Sequence, residues 1–266
     1  MDLKIAGKRA LVTGSSSGIG ITLAQMLAAE GAEVVVHGRD TARTRKTADS
    51  IRREGGIAHE VIGDIAEEEA AIAVAEAVNR LGGIDILVNN VGGRDGGFAH
   101  TSWFGVPAKS WINTYKQNTV GAVSLIDRLV PPMIERGWGR VINISSAIAI
   151  HQPPRHADYQ SAKAALVNLT RSLSKSLAGT GVTANVIGVG IILNSASEPE
   201  IAKTAAALGY QGPWRQHERD IVMKIFGQTV ARVGQTSDIG APVCFLASPQ
   251  ADFITGAHLV VDGGIA

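Results

Sequence analysis

Seven short runs rich in β-branched residues recur along the chain, each separated from the next by room for a helix: RALVT at 9–13, EVVVH at 33–37, AHEVI at 58–62, IDILV at 84–88, RVINIS at 140–145, VTANVI at 182–187 and HLVVD at 258–262. Such runs predict buried strands. The intervening segments carry apolar residues at helical spacing, as in Ile19, Leu23, Met26 and Leu27, or Ile72, Val74, Ala75 and Val78. Gly31, Gly55 and Gly82 stand where a helix C-terminus favours glycine. Strand alternating with helix implies an α/β fold, a parallel sheet with right-handed crossovers and helices on both faces.

The chain can support that architecture. At 266 residues it can bury about three quarters of its unfolded surface. Apolar residues at 45% and charged residues at 18% fit neither disorder nor a membrane protein. The formal charge of +1 gives no field for a phosphate backbone, so no nucleic-acid partner is expected. Cys244 is the only cysteine, which excludes an intrachain disulfide and a thiolate metal cluster. The opening MDLKIAGKRALVTG lacks a signal-like apolar run, and the longest apolar stretch, Val186 to Leu193, is about ten residues too short to span a bilayer. The expectation is a cytoplasmic protein with no membrane partner. No linker divides the chain, so residues 1–266 read as one domain. Only Ile191 to Val230 breaks the alternation, and its length suggests a substrate loop, about residues 190–230, holding one or two short helices.

The chemistry begins where the first strand runs into Thr13-Gly14-Ser15-Ser16-Ser17-Gly18-Ile19-Gly20 and a helix follows at once. Glycines at such a turn let the backbone approach a pyrophosphate, and the helix N-terminus supplies free N–H groups and the positive end of its dipole. This context points to dinucleotide binding. Tyr159 and Lys163 lie four apart and share a helix face, where an ammonium lowers a phenol's pKa from about 10 and makes it a usable acid or base. Ser146 ends the fifth strand, placed to hydrogen-bond a substrate oxygen as charge develops there. No His, Asp or Glu cluster has metal-site spacing, so no metal is expected.

These motifs, with Asn89-Asn90-Val91-Gly92 after the fourth strand, Asn118 beyond it, and Arg232-x-Gly234 through Val261-Asp262-Gly263-Gly264 at the end, resemble the short-chain dehydrogenase/reductase family from about residue 7 onward. The resemblance implies a Rossmann-like doubly wound, mostly parallel seven-stranded sheet in three layers. It implies catalysis by Ser146, Tyr159 and Lys163, with Asn118 binding a water that links Lys163 to solvent. Lys163 also holds the nicotinamide ribose in this family. Cofactor contacts are implied at Gly14, Ser16, Ser17, Gly18, Ile19, Gly20, Asp64, Ile65, Asn90, Gly92, Tyr159, Lys163, Gly190 and Ile192, with Asn89 beside the adenosine ribose.

Cofactor choice turns on His37-Gly38-Arg39. Gly38 stands where NAD users of the family carry an aspartate, and Arg39 can hold a 2'-phosphate, so NADP(H) is preferred with NAD(H) as the alternative. After the sixth strand, Val189-Gly190 replaces the family's Pro-Gly, and Asn194 stands near its nicotinamide-contacting Thr. Arg94 and Asp95, in the Gly-rich patch VGGRDGG at 91–97, either meet a substrate at the pocket mouth or pair with each other. Ile148, His151, Tyr210 and Trp214, with Trp103 nearby, are expected to complete an apolar and aromatic pocket. The positions matching basic carrier-protein contacts are Gly137 and Thr180, which disfavours a carrier-bound substrate.

The expected function is NADP(H)-dependent hydride transfer between the nicotinamide and a carbonyl or secondary alcohol of a small organic substrate. Alternatives are an NAD-dependent dehydrogenase of a sugar acid or steroid-like alcohol, a 3-oxoacyl reductase, and a dinucleotide-binding redox sensor. The long helices around Trp111 to Arg136 and Ala157 to Ala178 pack across two-fold axes in this family, so a homotetramer is expected.

Overall fold

The computed structural model describes residues 2–95 and 102–265, so Gly96 and Gly97 of the Gly-rich patch lie outside the described residues. All seven expected strands form: β1 (Arg9–Val12), β2 (Glu33–Gly38), β3 (Ala58–Ile62), β4 (Ile86–Asn89), β5 (Gly139–Ser146), β6 (Val182–Val189) and β7 (His258–Val261). They make one parallel sheet in the order β3-β2-β1-β4-β5-β6-β7. The chain reverses direction across the sheet between β3 and β4, leaving a crevice at the carboxyl ends of β1 and β4.

Alternate strand residues feed two cores. Ala10, Val12, Val34, Val36 and Val88 pack on one face with α1 (Gly18–Ala29), α2 (Thr41–Arg53) and α10 (Thr236–Leu246). Leu11, Val35, Leu87 and Val141 pack on the other with α3 (Glu68–Arg80) and α5 (Gly121–Glu135), and α7 (Ala157–Ser176) borders the same cluster through Leu173. Three layers follow from the period-two alternation of the strands. The C-terminal glycines act as expected: Gly31, Gly55 and Gly82 take φ of +86°, +88° and +97°. The next residues, Ala32, Gly56 and Gly83, donate N–H bonds back to Leu27, Ile51 and Val78 at 3.0–3.2 Å, closing each helix.

Two helical expectations are corrected. The helix expected across Trp111 to Arg136 is interrupted: α4 (Ala108–Tyr115) and α5 are joined by a π turn, Lys116–Val120, centred on Asn118. The 190–230 loop holds more than two helical pieces. Its α8 (Ser197–Ala207) is followed by a 3-10 turn (Trp214–His217), α9 (Glu218–Asp220) and a second π turn (Ile221–Ile225). A separate apolar cluster of Ile201, Ala205, Trp214, Ile221, Val222 and Val233 holds them together. The remaining short helix, α6 (Ile148–His151), lies just after β5. Among the described residues no helix is long and apolar enough to cross a membrane.

Gly55 has no heavy atom within 4 Å of where a Cβ would lie, so Gly55→Ala isolates the cost of the left-handed backbone. A loss of about 1–2 kcal/mol is expected, visible as a melting temperature lower by a few degrees, roughly 2–4 °C per kcal/mol in a chain of this size.

Candidate active site

The crevice opens into a cleft of about 840 Å³ that runs from the Gly-rich turn after β1 to the π turn at Ile225. At one end, Gly14 and Gly18 have φ of +66° and +57°. A Cβ on Gly20 would lie 2.4 Å from the Gly14 carbonyl, so only glycine lets α1 start against this turn. The α1 N-terminus has no side-chain cap and no acidic residue in its first turn. Its free N–H groups therefore face the cleft without competition, and the turn fits a pyrophosphate. Thr13 receives the N–H groups of Asn90 and Val91 at 2.9 and 3.1 Å on its hydroxyl, and the Asn90 amide donates to the Thr13 carbonyl at 2.9 Å, locking the loop after β4 onto β1.

Ser16, Ser17, Ile19, Asp64, Ile65, Asn90, Gly92, Gly190 and Ile192 all line the cleft, as do Gly14 and Gly18. Gly20 supports the turn from behind. Asn89 does not join them: it is buried and donates to Asn143, which donates to Thr170, each at 2.8 Å. Arg39 reaches the cleft but binds Asp64 at 3.0 Å with most of its side chain in water. Arg43, at the first turn of α2, also lines this end and pairs with Asp40 at 3.3 Å. The mark of Arg43 in the sequence is an Asp-x-x-Arg start to a helix next to Arg39. Gly38 has a steric reason besides charge. A Cβ there would lie 2.3 Å from Ser16 Oγ and 2.6 Å from Thr44 Oγ1, so an aspartate fits only if both move.

At the other end, β5 delivers Ser146 and α7 delivers Tyr159 and Lys163, and all three line the cleft. Ser145 is separated from this role, since its hydroxyl donates to the Lys163 carbonyl at 2.9 Å on the buried side. Lys163 Nζ donates to the Ile144 carbonyl at 2.9 Å and lies 5.8 Å from the centre of the Tyr159 ring. The expected lowering of the phenol pKa is not found. Burial disfavours the phenolate and pushes Tyr159 up to about 12, against the lowering effect of its hydrogen bond with Ser146. Burial likewise takes Lys163 down to about 8, because an ammonium loses its hydration there.

Asn118 is held by three protein hydrogen bonds. Its amide donates to Gly93 O at 2.5 Å and Thr114 O at 2.7 Å, and its Oδ1 accepts the Gly93 N–H at 3.1 Å. The side chain is committed to holding the loop, and only the second lone pair of Oδ1 remains for a relay water. A Cβ on Gly92 would lie 2.7 Å from Lys163 Nζ and 2.8 Å from Asn118 Oδ1, so the missing side chain is what brings these two groups to one spot.

The substrate pocket differs most from expectation. Ile148 and His151 line it, the latter bonded through Nε2 to Asp262 at 3.0 Å. Tyr210 and Trp214 do not: Trp214 is buried in the loop's own cluster, and Tyr210 packs there and against His217. Ile191, Ile225, Phe226 and Ile265 form the apolar wall instead. Arg94 is not on the wall either, and its partner is Asp158 rather than Asp95. Trp103 packs edge-on against Phe104 and Trp111, away from the described lining. Asn194 accepts the N–H groups of Ala196 and Ser197 at 2.9 and 3.1 Å, capping the entry to α8. Strand pairing of Val189 on both sides, with Gly190 packed on Asp262, fixes the turn that lacks the family's proline. No group of three metal-ligating side chains occurs among the described residues.

His37 is a further site residue missed in the sequence, hidden as one polar letter in an apolar strand. Its Nδ1 accepts the Gly14 N–H at 3.2 Å, and burial takes its pKa from 6.5 down to about 4. Between these values the unfolded chain binds a proton that the folded chain refuses, so stability falls as the pH falls, by about 1.4 kcal/mol per unit at most. His37→Gln is expected to flatten this slope between about pH 6.5 and about pH 4 in urea midpoints; an unchanged slope would exclude His37 as its source.

The comparisons agree with this geometry. A family model described as short chain dehydrogenase matches residues 8–205. The 3-oxoacyl-(acyl-carrier-protein) reductase FabG of Aquifex aeolicus is 33% identical, with 100% of both chains covered. A D-beta-hydroxybutyrate dehydrogenase of Rhizobium meliloti is 32% identical over 97% of this chain and 98% of its own. The crystal structure of L-sorbose reductase from Gluconobacter frateurii, complexed with NADPH and L-sorbose, superposes with a TM-score of 0.91 at 30% identity, covering 100% of this chain and 98% of that one.

Proposed function

The chain belongs to the short chain dehydrogenase family, and from that premise we propose that it is an NADP(H)-dependent oxidoreductase interconverting a carbonyl and a secondary alcohol on a small organic substrate. The observation that carries this reading is the convergence of Ser146, Tyr159 and Lys163 on the same cleft as the uncapped Gly-rich turn. The relative L-sorbose reductase, crystallised with NADPH, supports the cofactor.

The turn would hold the cofactor's pyrophosphate, and Tyr159 and Lys163 would stand at the nicotinamide end; a bound cofactor would supply or accept the hydride. Tyr159 holds the proton for the substrate oxygen, and its high pKa keeps it protonated and ready to donate. Ser146 hydrogen-bonds the same oxygen as charge builds. Lys163, anchored on the Ile144 carbonyl, supplies positive charge beside the phenol. Ile225 and Phe226 contribute apolar surface to the same cleft. At the far end Arg39 and Arg43 flank the 2'-phosphate position, and Asp64 and Asp40 hold their side chains in place. Arg136 donates to the Ile84 carbonyl and lies 3.9 Å from Asp85, with much of its side chain still exposed.

Tyr159→Phe keeps the ring and removes the proton, so turnover is expected to fall by about 10²- to 10⁴-fold while cofactor affinity holds. Turnover near wild type would remove Tyr159 from the mechanism. A screen of ketones and alcohols followed by nicotinamide absorbance, with both cofactors, tests the reaction class, and silence throughout would favour the redox sensor.

Arg39 is exposed, so Arg39→Ala is expected to lower the NADPH-to-NADH ratio of specificity constants by about tenfold rather than abolish it. A wild-type ratio already favouring NADH and unchanged in this variant would overturn the cofactor assignment. A homotetramer is part of the same proposal, supported by exposed Ile112, Val120 and Val123 on the α4–α5 face and by Leu259 and Val260 on the edge strand. Light scattering is expected to give four chains of 27.7 kDa, and a stable single chain would contradict it.

A further inference from the structure

Arg94 and Asp158 form an ion pair in which neither side chain has any accessible surface. Arg94 lies in the loop after β4, and Asp158 lies in the first turn of α7, immediately before Tyr159. Arg94 Nε stands 2.7 and 3.0 Å from the two carboxylate oxygens, and the Thr114 hydroxyl of α4 donates to Oδ2 at 3.1 Å. Arg94 Nη1 also lies 3.3 Å from His156 Nδ1. His156 enters α7 with φ of +58°, a left-handed conformation that a non-glycine residue keeps only when its surroundings hold it.

The network continues to the other side of the site. Thr114 accepts the Asn118 amide on its carbonyl, and Asn118 holds Gly93, the residue before Arg94. One buried carboxylate thus ties the β4 loop, α4 and the start of α7 together. A buried ion pair is poor evidence for stability, because apolar residues of similar volume often serve as well. What such a pair supplies is a fixed geometry, and here the geometry belongs to the helix that carries Tyr159 and Lys163.

We propose that Arg94 and Asp158, with Thr114, are positioning residues that set the first turn of α7 and so hold Tyr159 and Lys163 against the cleft floor. The proposal rests on the oxidoreductase reading for its effect on turnover, but not for its effect on the helix. The paired replacement Arg94→Met with Asp158→Leu removes both charges together, so neither charge is left buried alone. In that variant kcat on the best substrate of the screen is expected to fall about 100-fold, with KM and the NADPH dissociation constant within about twofold of wild type. Amide exchange over residues 156–163 is expected to accelerate.

Thr114→Val is expected to lower kcat less, and Thr114→Ser, which restores the hydroxyl, to recover most of the loss. This comparison decides the matter if the double variant does not fold. Retained kcat in the double variant, an equal loss in NADPH affinity, Thr114→Ser no better than Thr114→Val, or unchanged exchange at α7 would each overturn the proposal. Wild-type protein inactive on every substrate would instead fail the oxidoreductase reading, and exchange at α7 would still decide whether the brace exists.

Discussion

A parallel sheet covered on both faces satisfies its own N–H and C=O groups and leaves reactive side chains one place to emerge, the ends of its strands. Most of the candidate site follows from that constraint, with Tyr159 and Lys163 brought to it by α7. The Gly-rich turn leaves β1, His37 and Gly38 end β2, Asn90 leaves β4, Ser146 ends β5 and Gly190 leaves β6. Because β1 lies between β2 and β4, the two halves of the sheet diverge there and the cleft opens at that point rather than over the sheet's faces.

The same burial that builds the sheet sets the chemistry of its edge. Tyr159 and Lys163 pay for their position in opposite directions, the phenol becoming a weaker acid and the ammonium a stronger one. A sequence pattern with Lys four residues after Tyr leads one to expect mutual attraction to dominate, yet the amine is directed at the Ile144 carbonyl and desolvation outweighs the pairing. The resting site therefore stores its proton on Tyr159. Charge building on the substrate oxygen, rather than an ionised phenol in advance, must then draw that proton out.

What the sequence made legible was whatever depends on period and backbone. All seven strands, the helix-closing glycines and the Gly-rich turn could be read because alternation and left-handed glycine positions leave a local trace. Side-chain partners leave none. Arg94 looked like a pocket-mouth arginine until the fold placed Asp158, 64 residues away, beside it. Tyr210 and Trp214 looked like pocket aromatics because the loop between β6 and α10 has no period to show which way its residues turn, and they went to the loop's own core. Asn118 stands out in the sequence, but the π turn that aims its amide at Gly93 and Thr114 has no compositional mark.

The residues that were hardest to read share a physical property, since each is a polar group buried where apolar packing alone would have been easier. His37, Asn143 and Asp158 must all find partners to justify their burial, and each does so with a residue of a different element: Gly14, Asn89 and Thr170, and Arg94 and Thr114. Apolar contacts tolerate small shifts between layers, whereas a buried hydrogen bond is lost with a shift of a few tenths of an ångström. Three such fasteners lie beneath the Gly-rich turn, beneath the β4–β5 strand ends and beneath the start of α7. These three fasteners lie under the site, where catalysis requires registry between elements, while at the opposite end of the sheet a fourth, the buried Arg140 with Ser248 and Asp252, ties β5 to the segment after α10.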